Sequence, residues 1–117
     1  MTYIDGFVGA VRTDKKQVYI DNAAKAIEVF KKYGAIQGVE NWGVEVPDGK
    51  LTSFPMAVKL EEGETVVFSW VVWPSKEAHD AGMEQALKDP FFETEFDMSS
   101  VDGKRMIFGS FETILDL

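Results

Sequence analysis

The chain opens on an alternation with a period of two. Over Tyr3–Val11, the side chains of Tyr3, Asp5, Phe7 and Val11 share one face, and those of Ile4, Val8 and Ala10 share the other. Both faces are mainly apolar, as expected for a strand covered on both sides. The period becomes helical over Asp14–Tyr33. There Tyr19, Ala23, Ala26, Ile27 and Phe30 form an apolar stripe, opposite a solvated side of Lys15, Lys16, Lys25, Glu28, Lys31 and Lys32. Asp14 followed by Gln17 has the spacing of a capping box, and Gly34 suits the helix end. Alternation returns over Ala35–Val46, with Ile36, Glu40, Trp42 and Val44 on one face, and stops at Pro47-Asp48-Gly49. Pro55–Leu60 and Thr65–Trp73, joined across Glu61–Glu64, pattern as a hairpin whose second arm is apolar on both faces. Ser75–Asp89 predicts a second helix, with Ser75 as N-cap and Pro90 past its end. After an irregular stretch at Pro90–Met98, Lys104–Leu115 predicts the last strand.

The element order is β-α-β-β-α-β with one extra short strand at Pro55–Leu60. It predicts an α+β, ferredoxin-like antiparallel sheet with both helices on one face, built over residues 1–117 as a single domain. The first strand and Thr65–Trp73 become the central pair, in agreement with their two apolar faces. Ile4, Gly6, Val8, Ala10, Val67, Ser69 and Val71 suit the face under the helices. The opposite face is then expected to carry Tyr3, Asp5, Phe7, Phe68, Trp70, Met106 and Phe108, joined by Glu40 and Trp42. Such a face is too large and apolar to leave in water. It predicts a homodimer in which two sheets close a shared, dimeric α/β barrel. Trp70 and Trp73 are three apart on a strand and so point to opposite faces, which rules out a common aromatic cage.

Charge narrows the partners. Twenty acidic against twelve basic residues give a net charge of −8, which argues against nucleic acid and against an anionic membrane surface. There is no cysteine, so disulfides and thiolate chemistry are excluded. No basic, apolar leader opens the sequence and no run approaches the ~20 apolar residues of a membrane span, so a cytoplasmic location is expected.

Three side chains are candidates for proton chemistry. Asp5 and Glu40 are acids among large apolar neighbours, where burial raises a carboxyl pKa. His79 shares a helix face with Ala78, Gly82, Met83 and Ala86 and so faces inward. Each also reads simply as a paired, hydrogen-bonded group in a packed interior. Tyr3, Phe7, Trp42, Phe68, Trp70, Met106 and Phe108 are the candidate lining of a pocket for a flat apolar ligand. They serve equally well as barrel filling. A single histidine without companions at ligand spacing gives no metal site. Gly103-Lys104-Arg105 lacks the glycine-rich pattern of a phosphate loop, and no cofactor is expected. Three readings follow: a protein that binds a small apolar or aromatic molecule, a cofactor-independent enzyme of monooxygenase or isomerase type, and a structural dimer module without ligand.

Five segments carry a resemblance to a known family. They are YIDGFVGAV at Tyr3–Val11, KKYGAIQGVENWG at Lys31–Gly43, VPDGK at Val46–Lys50, AVKLEEGETVVFSWVVWPSKEAHDAG at Ala57–Gly82, and DGKRMIFGSFE at Asp102–Glu112. Together they resemble the YbaA-like bacterial family of unknown function, itself similar to the dimeric α/β-barrel superfamily. The resemblance implies the homodimer and brings no activity. Relatives tend to read E-C-W where this chain has Glu40-Asn41-Trp42, and to carry Arg where it has His79. The second difference argues against a family-wide catalytic role for His79.

Overall fold

The computed structural model describes residues 1–117. β1 (Tyr3–Arg12) leads through a short 3-10 turn at Thr13–Lys15 into α1 (Lys16–Lys32). β2 (Gln37–Trp42), the four-residue helix α2 (Phe54–Ala57), β3 (Glu64–Trp73), α3 (Lys76–Ala86), a π-helical turn (Phe91–Glu95) and β4 (Ile107–Glu112) follow. The four strands form one antiparallel sheet in the order β2-β3-β1-β4. This is the ferredoxin-like α+β arrangement that the element order predicts, with β1 and β3 in the middle. No helix is long and apolar enough to cross a membrane.

The register corrects one expectation. Across an antiparallel ladder, residues directly opposite share a face. Asp5 lies opposite Val71, Phe7 opposite Ser69 and Gly9 opposite Val67. Tyr3, Asp5, Phe7, Gly9 and Val11 therefore belong with Val67, Ser69, Val71 and Trp73, and this is the face that α1 and α3 cover. Ile4, Gly6, Val8 and Ala10 share the other face with Val66, Phe68, Trp70 and Val72. The sequence pattern has the alternation of each strand right, but β3 is one residue out of phase with the other three: Glu40 and Trp42 lie opposite Ser69 and Val67, and Phe108 opposite Phe7, so they join the helix-side face and not that of Phe68 and Trp70. A one-residue slip exchanges the faces of a whole strand.

The expected first arm of the hairpin is also corrected. Pro55–Leu60 is not a strand. Ser53 accepts a hydrogen bond from the Met56 amide at 3.1 Å, and Pro55 sits in the first turn of α2. A side-chain cap followed by proline starts a helix, and a proline cannot donate to a ladder. The segment folds back over the far end of the second sheet face. There Val58, fully buried, packs with Val8, Ala10 and Val66. Arg105 holds the fold-back in place by donating to the Lys59 carbonyl at 2.9 Å and to both oxygens of Glu64 at 2.8 and 2.6 Å. The second face is thus covered at one end and open at the other.

Helix ends follow local chemistry with one exception. Ser75 caps α3 by accepting from the Ala78 amide at 3.1 Å. Gly34, at φ +117°, ends α1 in a Schellman motif, with its amide bonded to Lys31 and that of Ala35 to Phe30. Asp14 and Gln17 form no capping box: Asp14 pairs with Arg12 at 3.3 Å, and Gln17 donates to Asp21 at 2.8 Å. The outer strands β2 and β4 are shorter than Ala35–Val46 and Lys104–Leu115. The turn bonds from Lys104 and Arg105 back to Asp102 delay the entry into β4.

Candidate functional site

Two concavities lie on opposite faces of the sheet. On the open face, an apolar groove of about 520 Å³ runs over Ile4, Val8, Phe68, Trp70, Ile107 and Phe111. Phe54 on α2 closes one side by an edge contact with Phe68, ring centres 5.7 Å apart. On the helix side, a crevice of about 140 Å³ lies between α1, the sheet and the Phe91–Met98 segment.

The crevice is lined mainly by apolar groups. Its aromatic side comes from the π-helical turn, where the Phe96 amide bonds back to the Phe91 carbonyl at 2.8 Å. Single π turns recur at functional positions. This one packs Phe92 in a tilted contact on Phe30 and edge-on to Phe96, with ring centres 5.4 and 5.1 Å apart. Asn22 on α1 ties the segment down, donating to the Asp97 carbonyl at 2.9 Å and accepting from the Asp97 amide at 3.0 Å. Met98 and Met106 complete this side of the crevice.

Four polar side chains break the apolar lining: Asn22, already paired with Asp97, and a group of three made by Tyr19, Glu40 and Ser69. Tyr19, buried on α1, donates its hydroxyl to Glu40 Oε1 at 2.5 Å. Ser69, also buried, stands opposite Glu40 on the β2–β3 ladder. Glu40 as a whole is an exposed residue, while its carboxyl lies in crowded surroundings beside Tyr19 and Ser69. Desolvation there raises its pKa above the usual carboxylate range, against the lowering effect of Tyr19 and Ser69. Burial, reinforced by the Glu40 charge, lifts the Tyr19 phenol far above its ordinary value.

A raised carboxyl pKa has a stability consequence of fixed sign. Between about pH 4.5 and the higher folded value, native Glu40 holds a proton that the unfolded chain has released, so its contribution to stability falls as pH rises through this window. Glu40→Gln removes the titration. The variant is expected to match the wild type near pH 4 and to exceed it at pH 7–8. Because the residue keeps solvent contact, the gain is under about 1 kcal/mol. Urea midpoints measured across this pH range check it; a difference between Glu40→Gln and wild type that does not grow from pH 4 to pH 8 would refute it.

The other two proton-chemistry candidates meet elsewhere. Asp5, buried on β1, accepts from Ser110 on β4 at 2.7 Å, and its other oxygen lies 3.0 Å from His79 Nε2. His79 Nδ1 lies 2.9 Å from Asp80, and only a doubly protonated ring donates to both carboxylates. Tyr3 and Trp73 flank the imidazole, with ring centres 4.9 and 5.6 Å away. The serine donates to the carboxylate rather than to the imidazole, so the order needed for a Ser-His-Asp nucleophile is not built. The cluster joins the edge strand, the central strand and α3. No group of three or more histidines and acids converges as metal ligands would.

The structure therefore divides the predicted site residues. Glu40, Phe7 and Met106 line the helix-side crevice. Phe68 and Trp70 border the open-face groove, while Phe108, opposite Phe7, stands at its rim on the helix-side face of the edge strand and is 80% exposed. Tyr3 belongs to the Asp5–His79 cluster. Trp42 packs against the group formed by Val11, Tyr19, Ala23 and Val67, with Lys16 Nζ 5.1 Å from its ring centre. The sequence reading missed Tyr19, Ser69, Phe92, Phe96 and Met98 as lining residues. Tyr19 carried a signal: it was the one hydroxyl on the apolar stripe of α1, and a buried tyrosine hydroxyl needs a partner.

Residues 2–103 match the family described as "Protein of unknown function (DUF1428)". The chain is 53% identical over 116 residues to the "Uncharacterized protein YbaA" of Escherichia coli (strain K12), covering 99% of each. Among solved structures it is similar to a dimeric ferredoxin-like protein from an uncultured marine organism, with a TM-score of 0.63, 10% identity and full coverage of both chains. It is also similar to SnoaB, a cofactor-independent oxygenase from Streptomyces nogalater, with a TM-score of 0.58 and 14% identity over 99% of this chain and 96% of that one. At such identities the likeness to the solved structures is one of fold.

Proposed function

The chain belongs to the family described as protein of unknown function (DUF1428), and on that premise we propose that it binds a small apolar or aromatic molecule in the crevice between α1 and the sheet. The observation that carries this reading is the Tyr19–Glu40–Ser69 group set into a lining that is apolar apart from Asn22. Ligand sites have this composition: mostly apolar, with a few convergent polar groups that fix orientation. A carboxyl whose pKa is raised by desolvation weakens the folded state at neutral pH, so its presence calls for a return other than stability.

The open-face groove belongs, on this reading, to a second copy of the chain. Phe68, Ile107 and Phe111 are each at least 44% exposed there, and the apolar patch they make with Ile4 and Trp70 suits a sheet-to-sheet homodimer. The fold likeness to a dimeric ferredoxin-like protein supports this arrangement. The pocket lining named from the pattern is thereby shared out: Phe7 and Met106 with the ligand, Phe68 and Trp70 with the partner copy.

The test is a titration with toluene followed by carbon-13 methyl spectra of the five methionines. Met98 and Met106 are expected to shift, and Met1 and Met56 to stay. Absence of shifts at Met98 and Met106 would remove the crevice reading. Sedimentation of the same sample is expected to return a dimer, and a monomer at micromolar concentration would remove the assignment of the groove.

A further inference from the structure

We propose that the crevice is specific for a single-ring aromatic molecule carrying one hydroxyl group, with that hydroxyl donated to the Glu40 carboxyl. The inference rests on the binding reading above and adds the size and the chemistry of the ligand.

Size comes from the volume. About 140 Å³ is close to the ~150 Å³ of an apolar cavity that holds benzene. A fused two-ring system exceeds it, so its second ring must either protrude into solvent, where it gains little contact, or displace the Phe91–Met98 segment, which the two Asn22–Asp97 hydrogen bonds hold against α1. Shape comes from the aromatic side. Phe30, Phe92 and Phe96 stand in tilted and edge-on contacts, and a flat ring extends such a set by the same edge-to-face attraction. The methionines beside them add polarisable, adaptable contacts at the ring edge.

Chemistry comes from the acceptor count. A carboxylate offers two oxygens and about four lone-pair sites. Tyr19 takes one of them, at Oε1. Ser69 satisfies at most one more, so the carboxyl retains acceptor capacity toward the crevice. The lining contains no lysine or arginine to fill it. A ligand donor placed there completes the group, and a hydrogen bond to a carboxylate is about twice as strong as one between neutral partners. A ring without a donor displaces water from those acceptor sites without replacing its hydrogen bond, which costs affinity. The preference is therefore for phenol over anisole, two rings of similar size that differ in the hydroxyl hydrogen.

The test titrates wild-type protein with phenol, anisole, toluene and 2-naphthol, using the Met98 and Met106 methyl signals as the readout. Phenol is expected to bind about tenfold or more tightly than anisole, and 2-naphthol more weakly than phenol. Glu40→Leu is expected to bring the phenol-to-anisole ratio to about one while toluene still binds. If that variant does not fold, Glu40→Gln, which retains an acceptor for Tyr19, is expected to lower the ratio by about threefold. Equal affinities for phenol and anisole in the wild type would overturn the hydroxyl specificity and leave the binding reading standing. Equal affinities for phenol and 2-naphthol would overturn the single-ring limit. Failure of all four rings to shift the two methyl signals would overturn the binding reading itself.

Discussion

Trp73→Ala is expected to lower the free energy of unfolding by about 3–5 kcal/mol, the range for truncating a fully buried tryptophan. Trp73 has no exposed surface. It closes β3 and lies at the meeting point of the sheet and both long helices. Phe30 of α1 meets its ring edge-on at 6.3 Å and His79 of α3 at 5.6 Å, while Ala35, Val71 and Met83 pack around it. Three elements lose a shared contact at once, so the site cannot collapse onto the void from one side. A domain of this size is typically stable by about 5–15 kcal/mol, and the loss brings it near the margin. The indole also carries a cost of its own, because Nε1 is buried with no hydrogen-bond partner. Trp73→Phe removes that orphaned donor along with part of the volume, and it is expected to cost less than half as much as Trp73→Ala. Urea unfolding at an unchanged m-value separates the two variants. A loss below about 1 kcal/mol for Trp73→Ala would contradict the central role given to this ring.

Much of this architecture was legible in the residues because it rests on periodicity. TVVFSWVVW and YIDGFVGAV read as central strands, since both faces of each are apolar, and the register places them side by side. The α1 stripe, the Gly34 ending and the Ser75 cap are local devices that a single segment specifies. The relation between segments is a different matter. Alternation tells which residues of β1 share a face but not which face of β3 they join, and that phase depends on register. The misphasing moved Asp5 to the wrong side of the sheet and so concealed its meeting with His79. The α2 turn was hidden by a strand-like composition, although Ser53 followed by Pro55 was a readable helix start.

The site was legible in part for the same reason. Glu40 stood out as an acid on a strand face, a local anomaly. Its partner Tyr19 is separated from it by 21 positions, and nothing in the α1 stripe says which strand its hydroxyl meets. The side of the crevice facing α1 comes from Phe92, Phe96 and Met98, in a stretch with neither period two nor period 3.6. Irregular backbone gives no face to assign, so only three-dimensional packing reveals what it covers. The predicted pocket failed to assemble as one body because its aromatic residues lie on both faces of a single sheet. The structure turns one intended cavity into two, and the smaller of them holds the acid.

Gly82→Ala should destabilise the protein, although alanine is by far the better helix former. On an exposed helix the exchange gains about 1 kcal/mol. Gly82 is buried at the contact between α3 and α1, and a Cβ there would stand 2.4 Å from Trp73 Cζ3 and 2.5 Å from the Tyr33 carbonyl oxygen. Neither neighbour yields easily. The tryptophan ring is enclosed, and the carbonyl belongs to the backbone at the end of α1, next to the Gly34 turn. Relief requires α3 to move away from α1, which loosens the packing around Trp73, and overfilling a dense interior typically costs about 1–3 kcal/mol. The clash outweighs the propensity, and the net effect is a loss. The two obstacles can be separated by a double-mutant cycle. In a Trp73→Leu background the ring contact is gone and the carbonyl contact remains, so the additional cost of Gly82→Ala is expected to shrink without vanishing. A neutral or stabilising Gly82→Ala would mean that α3 sits farther from α1 than this geometry allows. An undiminished cost in the Trp73→Leu background would place the whole clash on the Tyr33 carbonyl.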